Sequence, residues 1–198
     1  MKRSTVALLL GLICAGCAQQ VPMRDADQPN AATNFKQSGL LDGAPNPSLQ
    51  GQILMLNPDG GKYFTLSQPF SETGRFDIEL TFQQPNPHVY WLPSSSLCIT
   101  MSASSQRYCL RFSSLDMNSP TIQVQSLFTD NNKITTKTSL PGMYRYGEPI
   151  RIRMRKAAGG AEFVYGAYPA LTIATAGDIE NLEISCSSAS CRLRVDEI

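Results

Sequence analysis

The sequence has few of the side chains that enzymes most often use to transfer protons or bind metals. It contains one histidine, His88, and one tryptophan, Trp91, in 198 residues. A histidine-dependent triad would have to use His88, and we find neither a glycine-rich phosphate loop nor a nucleophile elbow. The single CxxC spacing, Cys14 to Cys17, lies close to the N-terminus, which disfavours a metal site in the rest of the chain. We expect no catalytic residues, no metal and no cofactor.

An excess of charge of either sign is also missing. Lys and Arg number 17 against 16 Asp and Glu. A chain that binds nucleic acid usually carries a basic excess concentrated on one face. We therefore expect no nucleic-acid partner.

Long apolar runs are absent as well. The longest runs from Val6 to Ile13, far short of the ~20 residues that span a bilayer. It follows the basic pair Lys2 and Arg3 and precedes small residues at Ala15 and Gly16. This order is typical of a secretory signal peptide that is removed after export.

The residues Ala15-Gly16-Cys17 resemble the lipobox of bacterial lipoproteins, although Cys14 stands where that family usually has Leu. The resemblance implies a signal peptide over residues 1–16 and a diacylglyceryl group on Cys17. An ordinary signal peptide with an incidental cysteine is the alternative. Ala18 at the second mature position implies, by resemblance to enterobacterial lipoproteins, an outer-membrane anchor facing the periplasm or the cell surface.

The mature chain divides into two parts by composition. Residues 17–50 are rich in Gln, Asn, Pro, Ala and Ser, with Phe35 as the one aromatic, so we expect a disordered tether. Residues 51–198 supply enough apolar side chains for one domain with a core. Loss of Lys2 and Arg3 with the signal peptide leaves 15 basic against 16 acidic residues.

The domain shows a period of two rather than 3.6. Phe76, Ile78, Leu80 and Phe82 alternate with polar residues, which indicates a half-buried strand. Similar short segments recur between turn sequences, and no window favours a long amphipathic helix. We therefore predict an all-β, antiparallel sandwich. The further predicted strands are Gln52–Leu56 and Lys62–Leu66 as an opening pair, 97–101, 108–112, 121–128, 133–139, 150–155, 162–168, 182–186 and 191–195.

Four cysteines remain in the mature domain, and an even number in an exported chain favours disulfides. If Cys98 pairs with Cys109, Leu97 faces Leu110 and Ile99 faces Tyr108 on one apolar face. A hairpin with Cys186 opposite Cys191 would likewise set Ile184 against Leu193. We predict the disulfides 98–109 and 186–191.

The C-terminal half resembles the closing strands of laminin-G-like, concanavalin-type jelly rolls. The resemblance rests on strand 150–155, the Gly159-Gly160 turn, strand 162–168, the segment 177–182 and the last strand 192–198. It implies a jelly-roll-like sandwich. Glycosidases of one concanavalin-type class carry the pattern Glu-x-Asp-x-Glu, which Arg75-Phe76-Asp77-Ile78-Glu79 matches in two of three carboxylates. A solvent-facing strand is the alternative that we favour.

Two surface features are candidate contact sites. The loop 83–93 holds His88, Tyr90 and Trp91 among three prolines, and rigid aromatics suit contact with a protein or with sugar rings. The alternative, which we favour here, is that Tyr90 and Trp91 cover one end of the core.

The second feature is a row of arginines. Arg151, Arg153 and Arg155 alternate with apolar residues and so share an outer face, where guanidinium groups could contact an anionic surface. The alternative that we favour is a solvated face balanced by carboxylates of a neighbouring strand.

Together these features predict a non-enzymatic lipoprotein of the cell envelope. Its β-sandwich would bind a protein of an assembly or secretion system, or a glycan, or serve a structural role. The alternative function is that of a carbohydrate-active enzyme, similar to a glycoside hydrolase, on the same scaffold. The enzyme requires two carboxylates that converge in a groove, whereas a binding domain requires exposed aromatics or the arginine row.

Overall fold

A computed structural model describes residues 36–40, 48–50, 53–70, 74–86, 88, 89, 91–102, 105–131, 133–175 and 177–197, with the backbone alone for 36–40 and 48–50. The predicted signal peptide, Cys17 and Tyr90 lie outside the described residues. Within this part of the chain, no helix is long and apolar enough to cross a membrane.

The described residues form strands joined by turns and bends, without a helix. The strands are β1 Lys36–Leu40, β2 Ser48–Gln50, β3 Ile53–Leu56, β4 Tyr63–Pro69, β5 Arg75–Pro85, β6 Ser94–Met101, β7 Arg107–Ser114, β8 Thr121–Asp130, β9 Lys133–Arg145, β10 Pro149–Ala157, β11 Gly160–Tyr165, β12 Leu171–Ala174, β13 Ile179–Ser187 and β14 Ala189–Glu197.

These strands form two layers. Sheet A has the order β1-β4-β13-β6-β7-β8-β9, and sheet B has the order β12-β11-β10-β5-β14-β3-β2. Neighbouring strands pair antiparallel throughout both sheets. The predicted all-β antiparallel sandwich is confirmed.

Side chains from the inner faces of both sheets form one core. Phe76, Ile78, Leu80 and Phe82 of β5 are all buried, as their alternation predicts, because successive side chains of a strand point to opposite faces. The largest fully buried side chains contributed by other strands are Tyr165, Phe64, Phe112, Phe163, Leu56, Leu97, Ile99 and Leu110.

Both predicted disulfides are present, Cys98–Cys109 and Cys186–Cys191. The register predicted for the first is also confirmed, since Cys98 lies directly opposite Cys109 and Leu97 opposite Leu110. Leu97 and Leu110 are buried in the core. The disulfide lies on the other face of sheet A and packs with Leu127.

The hairpin predicted around Cys186 and Cys191 is wrong. Strand β13 pairs with β4 and β6 in sheet A, whereas β14 pairs with β3 and β5 in sheet B. The chain crosses between the sheets at Ser188, which has a positive φ of 49°. Ile184 and Leu193 are both fully buried because two sheets, rather than two paired strands, present their apolar faces to one core.

The opening pair Gln52–Leu56 and Lys62–Leu66 is wrong for the same reason. Strand β3 belongs to sheet B and β4 to sheet A, so the turn between them is a corner of the sandwich. Strands β1 and β2 lie within the segment 17–50, where composition predicts a tether, and the strand-forming part of the chain therefore begins before Gly51. Strand β12 is a further strand that the alternation pattern does not predict.

Candidate functional site

The predicted carboxylate pair and the arginine row lie together on the outer face of sheet B. Arg151 is opposite Glu79, and Arg153 is opposite Asp77. The Arg151 and Glu79 side chains form an ion pair of 3.9 Å, and Arg155 forms one of 2.8 Å with Glu162 of β11. The structure thus places both features on a charged, largely exposed face, where individual ion pairs contribute about 0–1 kcal/mol.

The outer face of sheet A is different in character. Several of its positions are polar and set back from solvent: Ser94, Ser113 and Gln125 point away from the core, yet each is less than 10% exposed, at 7%, 2% and 3%. The arginines of sheet B, in contrast, are exposed. Sheet A therefore presents a recessed polar surface, which we call the groove.

Directly opposite residues on neighbouring strands form rows that cross the sheet along the groove. One row passes through Tyr63, Ser187, Ser94, Ser113 and Gln123. The next row passes through Thr65, Ser185, Ser96, Arg111 and Gln125. Because directly opposite residues share one face of a sheet, hydroxyl, amide and guanidinium groups stand side by side on the floor of the groove.

The aromatic loop lies at one end of this floor. Trp91 is 38% exposed and its ring stacks on Tyr63, with centroids 6.4 Å apart and planes inclined by 26°. His88 meets Trp91 edge-on at 6.5 Å. Trp91 is not one of the buried side chains of the core cluster. The expectation that Tyr90 and Trp91 together cover one end of the core stays a prediction, because Tyr90 lies outside the described residues.

The loop is held by the two corners where the chain changes sheets. The Asn86 backbone N–H donates to the Ser188 carbonyl at 2.8 Å, and the Asn86 side chain donates to the Pro58 carbonyl. Gly61 has a positive φ of 77°, and a Cβ there would lie 2.8 Å from the His88 ring. A glycine therefore allows the first corner to pack directly beneath His88.

Trp91 and Arg111 line one open pocket of about 350 Å³, together with Leu92, Ser94 and Ser187. An Arg111 guanidinium N–H donates to the Ser94 hydroxyl at 3.3 Å. Burial lowers the pKa of Arg111 from its usual value, because desolvation disfavours the charged form. The pocket thus combines an aromatic face with a cation and two hydroxyl groups, a set that suits a polyhydroxylated ligand.

One carboxylate, Glu183 of β13, faces the groove next to the Cys98–Cys109 disulfide. It forms an ion pair of 3.4 Å with Arg107. Burial raises the pKa of Glu183, and the Arg107 charge opposes this effect without cancelling it. Among the described residues, no group of three or more His, Cys, Asp or Glu side chains is arranged to hold a metal ion.

The raised pKa of Glu183 predicts a pH dependence of stability. The folded chain binds this proton more tightly than the unfolded chain, so the free energy of unfolding falls as pH rises through the interval above the usual Glu pKa. Glu183→Gln should remove this fall. Urea unfolding between about pH 4 and about pH 7 measures it, with Glu79→Gln on sheet B as the control for lost charge. A variant whose pH profile follows that of the wild type would contradict the assignment.

Sequence reasoning finds Trp91 and His88 but misses Tyr63, Ser94, Arg111 and Ser187. The register predicted from Cys98 and Cys109 could have identified some of these residues, because it places Ser96 opposite Arg111 and Ser94 opposite Ser113. A strand pair with serines and an arginine on one face and apolar residues on the other marks a polar sheet surface.

Comparison with known proteins identifies the fold. No protein-family model matches the sequence, and no curated protein sequence matches it. A solved structure described under endo-acting O-glycanases that human gut microbiota express to initiate mucin breakdown is 8% identical, with a TM-score of 0.56 and coverage of 87% of this chain and 95% of that chain.

Two further solved structures show the same likeness. A carbohydrate-binding module of family 66 from Bacillus subtilis is 7% identical, with a TM-score of 0.51 over 83% of this chain and 96% of that chain. A polysaccharide lyase of family 18 is 15% identical, with a TM-score of 0.51 over 82% and 79%. At these identities the likeness concerns the fold, a jelly-roll-like β-sandwich, as the sequence predicts.

Proposed function

We propose that this protein is a glycan-binding lipoprotein of the cell envelope, which holds a saccharide in the groove of sheet A without cleaving it. Cys17 would carry the lipid that anchors the chain to the outer membrane, on its periplasmic side or at the cell surface. The sandwich would then present the groove to the glycans of the envelope or its surroundings.

The observation that carries this proposal is the pocket beside Trp91. Sugar rings offer apolar CH faces that pack on an aromatic ring, and hydroxyl groups that need polar partners. The half-exposed Trp91, braced by Tyr63, supplies the first contact. Ser94, Ser187 and Arg111 in the same pocket supply the second.

The carboxylates favour binding over hydrolysis. Hydrolysis of glycosides usually requires two carboxyl groups on either side of the scissile bond. The two rows described above contain no acidic residue. Glu183 stands in the next row, opposite Cys98, and Arg107 engages it. Asp77 and Glu79 lie on the opposite sheet, away from the pocket.

The names of the similar structures agree with this proposal. One is a carbohydrate-binding module from Bacillus subtilis, and another is a carbohydrate-binding module of a Lactobacillus casei phage, with a TM-score of 0.50 at 9% identity over 77% of each chain. The O-glycanase structure is the relevant precedent for the enzymatic alternative. The two readings share the glycan as ligand and differ in the chemistry of the groove.

Trp91 provides a direct test, because it is the single tryptophan and its fluorescence reports from the pocket alone. Titration with soluble dextran, mannan, galactan and mixed-linkage glucan, and with polygalacturonate, is expected to shift its emission for at least one polymer. Trp91→Ala should then weaken the binding measured by calorimetry about tenfold or more. Its melting temperature should stay close to that of the wild type, since Trp91 lies outside the core cluster.

Ile134→Ala is the matched control, since Ile134 is an exposed apolar side chain of sheet A (54%) in the row of Arg107 and Thr129. It should leave binding unchanged. Binding that survives Trp91→Ala would place the ligand elsewhere. Release of reducing ends from a bound polymer, abolished by Asp77→Asn or Glu79→Gln, would replace the proposal with the enzymatic alternative.

A further inference from the structure

Arg111 is the most unusual charged group of the groove. It lies in the middle of β7 with its neighbours Leu110 and Phe112 fully buried in the core, so its backbone position is fixed. Its side chain points the other way, onto the groove floor, and is half-buried. Ser96 and Gln125 stand directly opposite it on the two adjacent strands.

Several arginines of the described residues form ion pairs with carboxylates, whereas Arg111 does not. Arg107 pairs with Glu183, and Arg155 pairs with Glu162. Around Arg111, the described part of the chain places no carboxylate oxygen within ion-pair distance, and the Ser94 hydroxyl is its one hydrogen-bond partner there. A guanidinium has five N–H donors in a planar fork, so most of its donors remain for a ligand.

A charge held out of water without an opposite charge costs free energy, and such groups are usually paired. Gln125 beside it has an unused acceptor, which suits a hydroxyl group of the sugar rather than its anion. This side chain is 3% exposed, and its Oε1 is buried without a hydrogen-bond partner among the described residues. The row that holds Arg111 and Gln125 is thus incomplete in its polar contacts, and Arg111 of this row lines the pocket.

We propose that the groove is selective for saccharides that carry an oxyanion, with Arg111 as the group that binds it. This inference rests on the proposed glycan-binding function and specifies the class of glycan. The guanidinium fork matches the paired oxygens of a carboxylate, sulfate or phosphate group. Trp91, in the same pocket, holds the sugar ring that carries the anion. The nearby carboxylate of Glu183 does not oppose such a ligand strongly, because Arg107 offsets its charge.

The test compares polymers that differ in the anion alone. The pairs are polygalacturonate and its carboxyl-reduced form, dextran sulfate and dextran, and phosphomannan and its dephosphorylated form. Titrations follow Trp91 fluorescence of the full chain at fixed ionic strength. For the pair with the correct anion, the charged member should bind about tenfold or more tightly than the neutral one. The pair that shows this preference identifies the anion.

Substitutions then assign the preference to Arg111. Arg111→Gln should bring the charged and neutral members to nearly equal affinity, and Arg111→Lys should restore part of the difference. Arg153→Gln removes one charge from exposed sheet B and should leave the preference intact. Arg111→Gln should also keep or raise the melting temperature, because it removes a half-buried charge that has no ion-pair partner among the described residues.

Several outcomes would overturn the inference. The first is equal affinity for the charged and the neutral member of every pair. The second is a loss of the preference in Arg153→Gln as large as the loss in Arg111→Gln. The third is a large drop in melting temperature for Arg111→Gln that Arg111→Lys reverses, because Arg111 would then have a structural role. The proposed function has its own criterion. If the wild type binds neutral polysaccharides and Trp91→Ala does not, the glycan-binding function is supported even if Arg111 proves unimportant. If no polymer binds, neutral or charged, both the proposed function and the inference about Arg111 are refuted.

Discussion

Replacing Cys186 and Cys191 together with alanine is expected to lower the free energy of unfolding by about 3–4 kcal/mol. Because the disulfide closes a short loop, the lower conformational entropy of the unfolded chain accounts for about 2 kcal/mol of this stabilisation. The remainder comes from packing, since both side chains are fully buried. The disulfide also joins β13 of sheet A to β14 of sheet B, so its loss loosens the corner next to Ser187 and the pocket. Urea unfolding of the oxidised proteins measures the effect.

The double variant Cys98→Ala, Cys109→Ala is the comparison. That pair closes a longer loop, with a separation of 11 residues against 5, so chain entropy alone makes it the more stabilising disulfide. It lies on the outer face of sheet A, however, where trimming leaves no closed cavity in the core. We expect Cys186–Cys191 to contribute more. The reverse order would show that restriction of the unfolded chain outweighs packing at the corner.

The two disulfides also show how far sequence reasoning reaches in this fold. Cys98 and Cys109 lie in sequential strands of one sheet, and there the alternation of side chains determines the register correctly. Cys186 and Cys191 lie on strands of different sheets. Apolar and polar residues alternate along these two strands as they would along the strands of a hairpin. Periodicity tells which side chains face the core, but it does not tell whether the two apolar faces belong to one sheet or to opposing sheets.

The residues of the candidate site likewise differ in whether local sequence pattern can identify them. Trp91 and His88 can be singled out because they are rare residues in a proline-rich loop. Arg111 and Ser187 lie far apart in sequence, and they meet because β13 pairs with β6 and β6 with β7. Their proximity depends on a long-range strand order that local pattern does not specify. The outward polar positions of β6 and β7 are the part of the site that sequence alone could have supplied.

Cys17→Ser is expected to abolish membrane partitioning, the largest change that any single substitution should produce here. Each buried methylene of an acyl chain contributes ~0.8 kcal/mol, and two or more chains turn marginal attachment into stable anchoring. In the described part of the chain no helix is long and apolar enough to span a membrane. The measurement is the fraction of the protein in membrane pellets, together with incorporation of labelled palmitate.

Cys14→Ser is the matched control, since Cys14 lies three residues upstream in the segment that the signal peptide hypothesis removes. It should leave both partitioning and labelling unchanged. Palmitate that still labels Cys17→Ser would refute the lipid anchor, and equal losses in both variants would indicate a defect in export instead of acylation. If the anchor alone is lost, the released Cys17→Ser protein should still bind the same polysaccharides as the wild type, because Trp91 and Arg111 line a pocket of the sandwich and the four cysteines of the sandwich pair with one another.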